Sequence, residues 1–277
     1  MYEEDEIIAI FCICSDFLKA RGFEDWHNCK MSTSEVLFSH LIATRFFYGN
    51  LERSRMYIKS QKYVLHCLSR SRLNRRLHQL SERLWDDLLY YIYEQRKKQG
   101  LTAQFIIDSF PVCACKNIRI YASKLLKGES YRGYNASKRE YFYGMKVTVL
   151  TTTEGQPVKA LIWPGKHHDS LILKNFSMQG LPRGSKIYAD SGYTDYEYED
   201  VLHEQGIHMV VERRSVTKRP MGLENFINLK AHRQTIERAF AHIASWLPKK
   251  IHAVTKQGLC LKILGFVTAL AAHVYCT

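Results

Sequence analysis

Two short apolar runs, each stopping at an aspartate, constrain the fold of this chain more than any other feature: Phe105-Ile-Ile-Asp108-Ser109 and Ile187-Tyr-Ala-Asp190-Ser-Gly-Tyr193. Runs of this length, rich in β-branched and aromatic residues, read as buried strands, with Pro111 stopping the first just past its acid. Between them, Tyr141–Thr151 reads as a strand, Glu154-Gly155 as a turn and Val158–Trp163 as its hairpin partner. Asp169 stands where it could cap a helix over Leu171–Phe176. A helix over Tyr196–Gln205, a strand over His208–Val211 and a last amphipathic helix follow. Strand, hairpin, helix, strand, helix, strand, helix is the order of an α/β chain, a mixed sheet with helices on its faces. In such open sheets the loops at strand ends build the sites, and that is where Asp108 and Asp190 fall.

The last helix supplies a third acid. Over Ala231–Trp246, Ile236, Phe240, Ile243 and Leu247 recur at helical spacing and should face the core. Beside them Arg233, Glu237, Ala241 and Ala244 form a lane with nothing bulky past the glutamate, leaving room for a large ligand. Each acid alone has an ordinary reading, a turn or cap residue for the aspartates and an i,i+4 Arg–Glu pair for the helix. Together they are three hard oxygen donors of the kind that bind Mg²⁺. Two such ions about 3.5–4 Å apart can polarise a phosphodiester and activate a water or a 3′-hydroxyl. Bound cations would also relieve the repulsion among three clustered carboxylates.

Charge points to a polyanionic partner. The 277 residues carry a formal net charge of +13, which favours nucleic acid first and an anionic membrane second. The basic side chains are grouped. Arg70, Arg72, Arg75 and Arg76 cluster at the start of a helix within a helical segment over residues 1–100, whose second helix is announced by the capping box Ser32/Glu35. A helix-turn-helix-like DNA reader and the charged outer face of a helical bundle both fit this pattern. Lys116, Arg119, Lys138 and Arg139 lie in a basic insertion over 113–140, interleaved with Tyr121, Tyr131 and Tyr134, a mix that can track phosphates and stack on bases. Arg213 and Arg214 sit in a loop before the last helix, and Arg233 lies on the helix itself.

Eight scattered cysteines form no Cys/His quartet, and reduced thiols fit them better than a zinc site. The acidic start lacks the positive region of a signal peptide. The apolar segment Leu259–Tyr275 is interrupted by Lys262 and His273, and it reads as a buried helix. A cytoplasmic, nucleoid-associated protein without a membrane partner is the expectation.

Four motifs then appear in order over residues 104–275: Ile107-Asp108-Ser-Phe-Pro-Val112, Ser137-Lys-Arg-Glu-Tyr-Phe-Tyr-Gly-Met-Lys146, Ala189-Asp190-Ser-Gly-Tyr193 and Arg233-Gln-Thr-Ile-Glu237-Arg. In these the chain resembles bacterial insertion-sequence transposases of the Asp-Asp-Glu class, and most the insertion-sequence 982 family. The resemblance implies a ribonuclease-H-like catalytic domain over 101–277 with Asp108, Asp190 and Glu237 as the metal-binding triad. It also implies Mg²⁺ or Mn²⁺ as cofactor, cleavage at inverted terminal repeats, joining of 3′-hydroxyl ends to target DNA, and double-stranded DNA as partner. Pairing two DNA ends favours a homodimer or larger assembly. The chain departs from the related Tyr-x-x-Arg-x-x-x-Glu-x-x-x-x-x-x-Lys signature at Lys230 and Ala244, which leaves the triad intact. Two alternatives stay open: an inactive DNA-binding derivative of a transposase, and a ribonuclease-H-like nuclease.

Overall fold

A computed structural model describes residues 3–98, 100, 103–135, 138–213, 217–248 and 251–277, the side chains of Thr235, Ile236 and Ala239 excepted. The chain divides into two compact units, Met1–Arg96 with Ile243–Thr277, and Lys97–His242. The second therefore ends before the expected catalytic segment of 101–277 does. The reason is the last helix, α9 (Lys256–Cys276), which is apolar over most of its length and packs in the helical unit. By length and composition it could cross a membrane, but most of it is buried within the fold.

The helical unit contains α1 (Glu3–Ala20), α2 (Thr33–Phe46), α3 (Leu51–Ser60), α4 (Arg70–Gln79) and α5 (Glu82–Lys97), together with α9. The expected capping box is present, with the Glu35 backbone N–H donating to Ser32 Oγ and the Ser32 N–H donating to Glu35 Oε2 at 2.6 Å. The basic tract after α2 contains α3, which charge had obscured. The helix that the four arginines open, α4, ends at Gln79, and α5 follows after a break at Leu80–Ser81. Residues 61–69 join α3 to α4, a longer connection than the three or four residues of a helix-turn-helix turn.

The other unit is built on a six-stranded mixed sheet, comprising β1 (Gln104–Cys115), β2 (Arg132–Asn135), β3 (Glu140–Thr152), β4 (Pro157–Pro164), β5 (Lys186–Ala189) and β6 (His208–Val211). Strand β3 pairs antiparallel with β1 along one edge, and β2 and β4 share its other edge. On the far side β1, β5 and β6 run parallel. Pro111 does not stop β1. The β5 pairing ends at Ile106↔Tyr188, so at Pro111 one flank of the strand has no partner and a missing N–H is tolerated. A Cβ at Gly144 would stand 2.0 Å from the Val112 carbonyl oxygen, so only glycine admits this approach of β3 to β1.

Helices α6 (Asp169–Asn175) and α7 (Tyr196–Glu204) connect the strands. His168, not Asp169, caps α6, accepting from the Ser170 N–H. Helix α8 (Leu223–Trp246) starts earlier than its apolar pattern suggested. Its Leu229 is buried with Ile106, Tyr188 and Val210, and Phe240 meets Phe110 with ring centroids 5.7 Å apart. Ile243 is buried in the helical unit and Leu247 is half-buried, so the stripe serves both units rather than one core. The side chain of Ile236 lies outside the described residues.

Candidate active site

Because β1 and β5 are adjacent and parallel, the acids that end their paired stretches emerge at the same end of the sheet. Asp108 stands two residues past the last β1–β5 pair, and Asp190 immediately follows β5. Each is fixed by a backbone donor: the Ser109 N–H to Asp108 Oδ1 at 2.7 Å, and the Gly192 N–H to Asp190 Oδ1 at 2.8 Å. The second bond forms because Asp190 caps a single tight helical turn over Ser191–Tyr193. Beneath the acids runs a chain of hydroxyls. Ser109 Oγ lies 2.7 Å from Thr148 Oγ1 and 2.6 Å from the hydroxyl of the fully buried Tyr193, tying the turn after Asp108 to the turn after Asp190.

A cleft of about 390 Å³ opens over these acids, lined by Asp108, Asp169, Asp190, Glu212 and Glu237, by Lys146 and Arg233, and by Tyr134 on β2. Three of the five carboxylates have a basic partner. Arg233 reaches Glu212 at 3.3 Å and Glu237 at 3.7 Å, and Lys146 reaches Asp169 at 3.2 Å. Among the described residues no ion pair involves Asp108 or Asp190. Burial pushes the Asp108 carboxyl up to about 7, with Asp190 and Asp169 adding to the rise and the Ser109 N–H and Arg233 opposing it. Asp190 is raised too, by desolvation first and then by Asp169 and Glu212. These acids are thus held where burial and neighbouring carboxylates disfavour their charge.

Of the three expected acids, the structure brings Asp108 and Asp190 together and puts Glu237 in the same cleft, but turned toward Arg233 and 72% exposed. Among the described residues no three acidic, histidine or cysteine side chains converge closely enough to hold one ion.

The expected DNA-binding residues divide. Arg70, Arg72 and Arg75 are exposed on α4, and Lys116, Arg119, Lys138 and Arg139 are exposed in the basic insertion. Arg76 is instead an internal tie, donating to the Met31 carbonyl oxygen and Thr33 Oγ1 at 2.9 Å and to Asp25 at 3.2 Å. Arg213 is likewise withdrawn. It is 11% exposed, bonded through both nitrogens to the buried Glu199 and laid over the Tyr196 ring. Arg214 lies outside the described residues. Sequence reasoning missed Glu212, Lys146 and Tyr193 and gave Asp169 a different task. A polar residue inside an apolar strand, as Lys146 is, was the one local signal available.

Residues 99–270, more than half of the chain, match the transposase DDE domain family. The chain belongs to that family. Over 81 residues it is 32% identical to the transposase for insertion sequence element IS1106 of Neisseria meningitidis serogroup B, a stretch spanning 29% of this chain and 28% of that relative. It is also similar to the cryo-EM structure of a piggyBac transposase synaptic complex with hairpin DNA, at a TM-score of 0.48 and 11% identity, covering 99% of this chain and 66% of the other. The family match begins just before β1 and takes in all five acids of the cleft and most of α9.

Proposed function

We propose that this family member is an insertion-sequence DNA transposase that cleaves at inverted terminal repeats and joins the freed 3′-hydroxyl ends to target DNA. The observation that carries the reading is the delivery of Asp108 and Asp190, from neighbouring parallel strands, into one acidic cleft that also contains Glu237 of α8. The strand order β4-β3-β1-β5-β6, antiparallel on one side of β1 and parallel on the other, supports a ribonuclease-H-like catalytic fold. The narrower likeness to insertion-sequence 982 elements rests on the four sequence motifs.

Two adjacent hard oxygen donors, Asp108 and Asp190, support a divalent cation, which Glu237 would reach only on leaving Arg233. Among the described residues Asp108 and Asp190 have no ion-pair partner, and burial raises both carboxyls despite the more distant charge of Arg233. They would hold Mg²⁺ or Mn²⁺, with Glu237 completing the set. Such an ion supplies polarisation of the phosphodiester and a lowered pKa for an attacking water. The protein's own groups orient the acids: the Ser109 and Gly192 amides fix one oxygen of each aspartate, and the Tyr193–Ser109–Thr148 hydroxyls lock the two turns together. The exposed basic side chains of α4 in one unit and those of the 113–140 segment in the other would each offer contacts to duplex DNA, with two or more subunits pairing the ends in the bacterial cytoplasm.

The test is cleavage of oligonucleotide duplexes bearing the element's own ends. Asp108→Asn, Asp190→Asn and Glu237→Gln are each expected to abolish Mg²⁺-dependent cleavage while duplex affinity persists. Full cleavage by any one of them removes that residue from the triad, and clipped products without joined ones mark a nuclease instead.

A further inference from the structure

One cation in the cleft sits where the carboxylates alone give it no purpose. Lys146 lies on β3, paired with Pro111 of β1 on one side and Trp163 of β4 on the other, and its side chain is only 15% exposed. Its Nζ stands 3.2 and 3.4 Å from the two oxygens of Asp169. An ammonium carries three donors, and here, among the described residues, its hydrogen bonds go to one carboxylate, at distances beyond the 2.7–2.9 Å of a tight charge-assisted bond. Burying a lysine in an ion pair and freezing its rotamers carries a penalty that can exceed the Coulombic gain, so the pair is weak evidence of a stabilising role. Arg233, the other cation of the cleft, is 57% exposed and already divided between Glu212 and Glu237.

Asp169 is placed to hold this ammonium in register. It opens α6, whose cap is made by His168, so its carboxylate is not used up as the cap. Its Oδ2 and the Oδ1 of Asp190 both lie within 3.5 Å of the point a Cβ at Gly192 would occupy, so the Lys146–Asp169 pair adjoins the aspartates of the proposed cation site.

We propose that Lys146 anchors the phosphodiester to be cut by donating to a non-bridging phosphate oxygen, and that Asp169 is a positioning residue acting through it. This rests on the cleft being the phosphoryl-transfer site. A phosphate entering a cleft lined by five carboxylates meets repulsion, and Lys146 supplies a fixed attraction inside it. Asp169 keeps that ammonium from neutralising Asp108 and Asp190, which stay available to a cation.

The test couples side chain to phosphate charge. With the cut site mapped by wild-type cleavage, affinity is measured for the native duplex and for one bearing an uncharged methylphosphonate at that position, with Ca²⁺ in place of Mg²⁺ to hold back cleavage. Lys146→Met is expected to weaken the native duplex by about tenfold to a hundredfold and to leave the methylphosphonate duplex unchanged, and Lys146→Arg is expected to restore part of the loss. Asp169→Asn should slow cleavage in the wild-type background and change nothing further beside Lys146→Met. If Lys146→Met lowers the melting temperature, Lys146→Gln takes its place. Equal weakening of both duplexes by a folded Lys146 variant overturns the proposal while leaving a cutting wild-type enzyme as a transposase. A wild-type protein that neither binds nor cuts the element's ends overturns the functional reading itself, and the anchor with it.

Discussion

Two withdrawn carboxylates, one in each unit, receive opposite treatment. Glu6 of α1, buried in the helical unit, is met by the Arg45 guanidinium at 2.6 and 3.0 Å and by His273 Nδ1 at 3.0 Å, and Arg45 is backed by the Trp246 ring at 4.5 Å. Burial alone would raise its pKa, yet Arg45 and His273 bring it below the usual glutamate value. Asp108 of the sheet unit has no ion-pair partner among the described residues, Arg233 only partly opposing the effect of burial, and its carboxyl rises to about 7. The first acid is an element of construction, with its charge answered by the fold. The second is met by no ion pair among the described residues, the difference expected between a structural acid and one that, as we propose, serves a ligand.

The contrast can be broken at either end. The largest expected effect is at Glu6, where Arg45→Met leaves a buried carboxylate facing only His273 and should destabilise the protein by roughly 3–5 kcal/mol in denaturant unfolding. An effect below about 1 kcal/mol, the range of an exposed pair, would mean that Glu6 is solvated after all. The same kind of substitution at Asp108 should act with the opposite sign. Since its folded-state pKa lies above the unfolded one, ionised Asp108 costs stability at pH 8, and the cost fades as pH falls through 7 toward 4. Asp108→Asn should therefore stabilise the metal-free protein at pH 8 by roughly 2–4 kcal/mol while abolishing cleavage. A destabilised variant would show that the acid is satisfied in the fold.

A third expectation sharpens the helical side. His40 of α2 is buried, bonded through Nε2 to the Leu261 carbonyl oxygen at 3.0 Å and packed edge-on against Trp85, and desolvation lowers its pKa to about 4. A histidine buried neutral contributes stability that is complete above the unfolded value and is lost as pH falls from about 6.5 toward 4, up to roughly 3 kcal/mol in all. In the Asp108→Asn background, which removes the opposing titration, unfolding free energy should fall over that window, and His40→Gln should flatten the fall. The smallest effect concerns the hydroxyl chain. Tyr193→Phe leaves Ser109 and Thr148 bonded to each other and should lower stability by about 1–2 kcal/mol, with a larger proportional loss in cleavage rate because the two turns are no longer tied. Unchanged cleavage would reduce the chain to packing.

Local chemistry made much of this legible in the sequence. The Ser32/Glu35 capping box, the Glu154-Gly155 turn and the strands ending at Asp108 and Asp190 each depend on neighbours a few residues away. What lay hidden depends on pairing across the chain. Asp169 looks like a helix cap because it stands beside a helix start, and only the placement of β3 and β5 about β1 sets it between Lys146 and Asp190. Arg213 looks like one of a basic run, and only the packing of α7 reveals Glu199 as its partner. The split of the last apolar stripe was hidden likewise, since periodicity marks a face to be buried and not the unit that buries it.

The most direct test of the central claim, that Asp108 and Asp190 are left uncompensated for a divalent cation, is a Mn²⁺ titration of the full chain followed by electron paramagnetic resonance. The wild-type protein should bind the ion, and Asp108→Asn and Asp190→Asn should each weaken that binding at least tenfold, with Arg45→Met leaving it unchanged if that variant folds. Equal Mn²⁺ affinity in the wild-type protein and both aspartate variants would contradict the account.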